Sequence, residues 1–158
     1  MSERQYWLVK SEPHKYSIDD LERDGTTYWD GVRNYQARNF MRDDMKVGDM
    51  LLYYHSNTKP PGIVGLARVS KEGYPDPTQF DPDDHYYDPK ATEEKPRWIV
   101  VDVDFVAKFD EIVTLETLKA DDALDGMLVI RKGQRLSVQP VEPHHYARVL
   151  DLADYSED

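Results

Sequence analysis

Three short segments carry side chains suited to holding a ligand. The first, Trp7-Leu8-Val9-Lys10-Ser11-Glu12-Pro13, reads as a buried strand that stops at Lys-Ser. The second, Trp29-Asp30-Gly31-Val32-Arg33-Asn34-Tyr35-Gln36-Ala37-Arg38-Asn39, sets an aromatic, a glycine turn and two arginines around a helix start. The third, Tyr53-Tyr54-His55-Ser56-Asn57, is a strand that turns abruptly polar. A helix start presents unpaired N–H groups that attract phosphate or carboxylate, and Arg33 and Arg38 nearby would strengthen that pull. Trp29 offers a flat face for stacking a base, worth roughly 1–3 kcal/mol. Each residue alone also has a scaffold reading: Trp29 as core, the arginines paired with Asp30, Asp43 or Asp44. Taken together, the three segments read as a site.

Other chemistries lack their residues. There is no cysteine, so no disulfide, thiol nucleophile or thiolate zinc site. The histidines are His14, His55, His85, His144 and His145, with no HExxH spacing. His144 and His145 are neighbours on an expected helix and point apart, so they cannot share a metal. All but His55 read as surface residues. No GxSxG elbow, P-loop or GxGxxG occurs. The acid cluster Asp81-Pro82-Asp83-Asp84 lacks the order and the glycine of a calcium loop. Asp102 and Asp104 alternate on one strand face, which suits solvent better than a catalytic pair. No metal or cofactor is expected, and binding is favoured over catalysis.

The elements that must position these residues are short. Tyr6 to Val9 reads as a strand. Ser17 caps a helix, with Asp20 closing a capping box and Gly25 ending it. Asn34 caps a second helix to about Met41, in which Ala37, Phe40 and Met41 share a face. Met50 to Tyr54 and Ile63 to Val69 are strands joined through Asn57 to Gly62. Trp98 to Val106 alternates as a strand should. Residues 73–96, with five prolines and many acids, form a long ordered loop of the kind that often carries function. Thr114 caps a short helix, Leu136 to Val141 is a last strand, and Pro143 opens a helix through Leu152. The result is an α+β chain, one domain over residues 1–158, with a small curved sheet or barrel and short helices outside.

The net charge of −11 opposes a broad grip on duplex DNA, because phosphate contacts need Lys and Arg. The acidity is concentrated, however. Residues 6–60 hold eight basic and nine acidic side chains, whereas residues 101–130 hold two and eight. The acidic stretch should lie away from any binding face, which leaves room for a pocket that reads one nucleotide. No apolar run has the length of a signal peptide or of the roughly 20-residue membrane span. A monomer in the cytoplasm, or in the nucleus if eukaryotic, is expected, with no membrane partner.

Several of these stretches occur in the order of a known pattern. YWLVKSEP, WDGVRNYQARNFM, GDMLLYYHSN, GIVGLARV and RLSVQPV together resemble the EVE domain family, within the PUA-like superfamily that includes YTH and ASCH domains. The resemblance runs from about Tyr6 to Leu152. It implies a small curved β-barrel with peripheral short helices and a pocket for a modified base, such as a modified cytosine, in DNA or RNA. It places Lys10, Ser11, Trp29, Asp30, Asn34, His55 and Ser56 around that pocket, with Trp29 as one wall of an aromatic cage. Asp30 and Asn34 match hydrogen-bonding positions of the looser YTH pattern. The opposite wall would come from the loop at 73–96, where Tyr74, Phe80, Tyr86 and Tyr87 are candidates and Tyr86 and Tyr87 are favoured. Arg33 and Arg38 would meet phosphate at the rim. A second reading is an ASCH-like hydrolase of a modified nucleoside or nucleotide, with Lys10 and Glu12, or Asp30, as acid and base.

Overall fold

The computed structural model describes residues 4–157, so the expected domain bounds of 1 and 158 lie outside the described residues. Six strands form one mixed sheet: β1 (Tyr6–Ser11), β2 (Thr26–Tyr28), β3 (Met50–His55), β4 (Gly62–Pro75), β5 (Ile99–Thr114) and β6 (Val138–Val141). Their spatial order is β2-β5-β4-β3-β1-β6. Only β1 and β3 run parallel, with Trp7 opposite Leu51 and Ser11 opposite His55. Among the described residues four α-helices flank the sheet: α1 (Ile18–Asp24), α2 (Tyr35–Asn39), α3 (Leu115–Ala120) and α4 (Pro143–Leu152).

The caps act as their chemistry requires. The Ser17 hydroxyl accepts from the Asp20 N–H at 3.1 Å, and the Asp20 carboxylate accepts from the Ser17 N–H at 2.9 Å. Asn34 and Thr114 accept from Ala37 and Thr117 in the same manner. Past Asn39 the helix widens into a π-turn, Phe40–Asp44, closed by the Met45 N–H on the Phe40 carbonyl.

The central strands bury both faces. Trp7, Val9, Leu51, Tyr53, Val101 and Val103 belong to one core cluster, and Leu8, Leu52, Tyr54 and Leu66 to the cluster on the other side. Alternation of side chains along each strand separates the two sets. The expected alternation of Ile99, Val101, Val103 and Phe105 faces the first cluster. The β4–β5 ladder is longer than the sequence pattern indicates and shifts register four times. Each shift adds twist, and at Gly65 the strands approach so closely that a Cβ would sit 2.3 Å from the Ala107 carbonyl oxygen.

The expected barrel is not closed. The sheet ends at β2 on one side and β6 on the other, with no ladder between them among the described residues. Both edges are short, three and four residues, and β6 carries Pro140, a residue suited to edges because it lacks an N–H. A cavity lies where closure would have occurred.

The long loop, now residues 76–98, is held by buried polar groups. Asp76, wholly buried, accepts at one carboxylate oxygen from the Thr78 N–H and hydroxyl, and at the other from the Gly31 N–H and Arg33. The Arg33 guanidinium also donates to the Thr78 hydroxyl and to the Tyr86 carbonyl at 2.8 Å. Gln79, equally buried, donates to the carbonyls of Asp76 and Trp98 and accepts from the N–H groups of Arg97 and Trp98. Removing Arg33 would leave the buried Asp76 charge uncompensated, at a cost of about 3–5 kcal/mol. Arg33→Met should therefore lower unfolding free energy by about that amount in denaturant titration. A loss under about 1 kcal/mol, the scale of surface pairs, would show that the ion pair does not anchor the loop.

Candidate nucleic-acid pocket

A cavity of about 640 Å³ opens between the two sheet edges. β2 contributes Thr27 and Tyr28, the end of β1 contributes Lys10 and Ser11, and the approach to β6 contributes Arg135 and Ser137. Trp29, Asp30, Gly31, Ser56 and Tyr86 complete its principal walls. The acidic stretch 101–130 supplies no lining residue.

Trp29 follows β2 and is fixed by its backbone N–H on the Val101 carbonyl, 2.8 Å. It is 8% exposed and belongs to the first core cluster, with its ring edge-on to Tyr53 at 5.4 Å. It is thus both core and cavity wall. Among the described residues the other two tryptophans bond their indole N–H groups to carboxylates, Trp7 to Asp49 and Trp98 to Asp88. The Trp29 indole N–H has no such partner, yet it is not sealed from water as the orphaned Tyr146 hydroxyl is.

Tyr86 forms a wall from the long loop. Its ring lies against Gly31, where a Cβ would come within 2.5 Å of the ring, and Gly31 has φ +78°. Both features require glycine there. The Asp84 carboxylate accepts from the Tyr86 N–H at 2.8 Å, and Asp81 does the same for Asp83. These acids therefore shape turns. Among the described residues no cluster of three or more His, Asp or Glu is placed to hold a metal.

The polar lining is preset. The Tyr16 carbonyl accepts from both the Ser11 and Tyr53 hydroxyls at 2.7 Å. Hydrogen bonding to Asp24 adds to burial in pushing the Tyr16 phenol up to about 12. Asp30 is open to water on one side, yet surrounding protein and the Asp76 charge raise its carboxyl above the ordinary value. Burial lowers the Lys10 ammonium, which stands 5.7 Å from the Tyr54 ring centroid and 3.5 Å from the Gln134 carbonyl. The hydrogen bond from Asn57 holds Glu12 below the usual carboxylate range.

Of the residues expected around the pocket, Lys10, Ser11, Trp29, Asp30, Ser56 and Tyr86 line the cavity. The others are placed elsewhere. Asn34 is occupied as the cap of α2. His55 accepts at Nε2 from the Ile18 N–H at 3.1 Å, completing the start of α1. Tyr87 is exposed and does not line the cavity. Arg33 is committed to Asp76, and Arg38 donates to Asn39 and to the Arg97 carbonyl and stacks over Tyr35. Neither arginine lines the cavity, because carboxylate and carbonyl acceptors inside the fold compete for them. Sequence reasoning passed over Thr27, Tyr28, His85, Arg135 and Ser137. The basic run 131–135 in an acidic chain was a usable signal for Arg135. Tyr28 had only its adjacency to Trp29.

The fold and this pocket define a PUA-like α+β protein. The EVE domain model matches residues 5–152, and the chain belongs to the EVE domain family. Thymocyte nuclear protein 1 of Rattus norvegicus is 46% identical over 167 residues, covering 94% of this chain and 74% of its own length. The solved structure of a hypothetical protein from Leishmania major superposes with TM-score 0.92 at 52% identity, covering 96% of each chain. Human THYN1 protein, solved in complex with 5-methylcytosine-containing DNA, superposes with TM-score 0.89 at 43% identity over 96% of this chain and 99% of its own. An ASCH protein from Zymomonas mobilis shares the fold alone, at 8% identity and TM-score 0.52 over 94% of this chain and 99% of its own. Among the described residues no helix is long and apolar enough to cross a membrane.

His55 gives the fold a pH dependence of known sign. Burial holds its ring below the ordinary value of 6.5, and the neutral ring serves as acceptor. The unfolded chain thus binds a proton at higher pH than the folded one. This contribution is complete above the unfolded value and is lost as pH falls below it. Melting temperature should drop between about pH 7.5 and 5.5, and by less in His55→Gln. Equal drops in both proteins would place the dependence elsewhere.

Proposed function

We propose that the cavity binds a modified base, foremost a modified cytosine, presented by DNA or RNA. The similarity to human THYN1, solved with 5-methylcytosine-containing DNA, carries this reading. The lining supports it chemically. Trp29, Tyr28 and Tyr86 supply aromatic surface, while Ser11, Ser56, Ser137 and Asp30 supply hydrogen-bonding groups. A volume of about 640 Å³ is in the range of small-ligand sites. A base must leave its stack to enter, at a cost of a few kcal/mol, which aromatic contact offsets.

Binding is favoured over covalent hydrolysis because the Ser11 hydroxyl and His55 are already engaged with the backbone. Ser11 donates to a carbonyl, and His55 accepts from a backbone N–H. That leaves no serine nucleophile paired with a base, which a covalent route would require. Lys10, Glu12 and Asp30 do line the cavity, so an acid–base route is decided by the turnover test below.

Because Trp29 is also core, its truncation to alanine would cost roughly 3–5 kcal/mol and confuse binding with folding. Trp29→Leu keeps the apolar bulk and removes the flat face. Single-stranded DNA oligonucleotides bearing one 5-methylcytosine or one cytosine should be titrated by fluorescence anisotropy. The wild type should favour the methylated strand, and Trp29→Leu should bind it about tenfold to hundredfold more weakly, the scale of one lost stack. Equal affinity for both strands in the wild type would overturn the reading. Released nucleoside or altered base, seen by chromatography, would favour the hydrolase.

A further inference from the structure

We infer that the exposed turn at residues 131–135 grips the phosphodiester backbone of the strand whose base enters the cavity. The inference rests on the base-binding reading and names the contacts that reading lacks once Arg33 and Arg38 are found elsewhere.

The turn stands out by charge and by pairing. The chain has 31 acidic and 20 basic residues, and most of its arginines are committed. Arg4, Arg23, Arg33, Arg42, Arg97 and Arg148 each meet a carboxylate. Arg131, Lys132 and Arg135 are all exposed. Among the described residues none of the three side chains has an ion-pair or hydrogen-bond partner. Three like charges within five residues repel one another, and a polyanion relieves that repulsion.

The mount beneath these cations is fixed. Gly133 turns the chain at φ +79°, and the Gln134 side chain accepts from the Leu136 N–H at 3.1 Å. Buried Gln139 donates to the Leu136 carbonyl, and the Lys10 N–H donates to the Ser137 carbonyl, which ties the foot of the turn to β1. The foot opens directly onto the site, since Arg135 and Ser137 line the cavity. At the other end, Arg131 lines a second cavity of about 550 Å³ beside the start of β1 and the end of β6. A strand with its base in the first cavity would cross the turn on leaving it, with Arg135 met first and Arg131 last. Phosphate contacts fix position without reading sequence, so the turn would set affinity while the cavity sets base preference.

The test compares two triple variants that remove equal charge. One is Arg131→Ala with Lys132→Ala and Arg135→Ala. The other is Arg68→Ala with Lys90→Ala and Lys119→Ala, exposed residues that line neither cavity. Affinity for a single-stranded oligonucleotide with one 5-methylcytosine is read at salt between about 50 and 200 mM. The turn variant should bind at least about tenfold more weakly at low salt, and its log affinity against log salt should flatten by up to about two. In the double variant Arg131→Ala with Lys132→Ala, which leaves the lining of the first cavity intact, the preference for the methylated strand and the shifts caused by the phosphate-free nucleoside 5-methylcytidine in NMR spectra should persist. The control variant should keep the wild-type slope. An unchanged slope in the turn variant, or the same flattening in both, would overturn the inference while base preference still stands. A wild type that binds no oligonucleotide would overturn both readings. Wild-type binding that ignores methylation yet depends on the turn would overturn the modified-base reading and leave the turn as a phosphate contact only.

Discussion

The ion pair between Arg33 and the wholly buried Asp76 is the constraint on which the cavity depends. Taking a charge such as that of Asp76 out of water costs several kcal/mol and is repaid only by close geometry and full hydrogen bonding. Both conditions are met. Asp76 accepts at both oxygens from backbone, hydroxyl and guanidinium, and Arg33 spans Asp76, Thr78 and the Tyr86 carbonyl. The guanidinium also stands 5.2 Å from the Tyr86 ring centroid and 5.3 Å from that of Trp98. One pair thus joins the segment that carries Trp29, through Gly31, to the loop that carries Tyr86. The two aromatic walls keep their separation because the same carboxylate holds both sides.

The open sheet follows the same logic of competing demands. Full closure removes exposed edges, and strong twist along the β4–β5 ladder brings the edges toward one another. Closure would fill the space that the cavity occupies. The short β2 and the proline-bearing β6 keep the edges from pairing, and the gap is lined from both sides.

Much of the fold was legible in the sequence because local chemistry decides it. The capping box at Ser17, the Asn34 and Thr114 caps and Pro143 at the start of α4 need only neighbours within four residues. Alternation along β5 reported its two faces directly. The extensions of β4 to Pro75 and of β5 to Thr114 were hidden by Glu72, Gly73, Lys108 and Asp110, polar or flexible residues that pair across a ladder without showing a hydrophobic pattern. The failure of the barrel to close is a relation between distant edges and leaves no local mark. The cavity lining was legible at Trp29, Lys10, Ser11 and Ser56, where aromatic and polar residues end strands. Arg33, Asn34 and His55 carry the same residue types as ligand-binding groups, and only the positions of Asp76, Ala37 and Ile18 show that their hydrogen bonds are already used.

The central claim is that a base enters against Trp29. The indole N–H resonances test it directly, because the molecule has three tryptophans and Trp7 and Trp98 bond theirs to Asp49 and Asp88. The three signals can be assigned by single Trp→Phe variants, and an oligonucleotide bearing 5-methylcytosine then titrated into uniformly 15N-labelled protein. Entry of the base requires the Trp29 signal to move saturably and further than the other two, and further than with the unmethylated strand. A Trp29 signal that stays still while the oligonucleotide binds would contradict the claim.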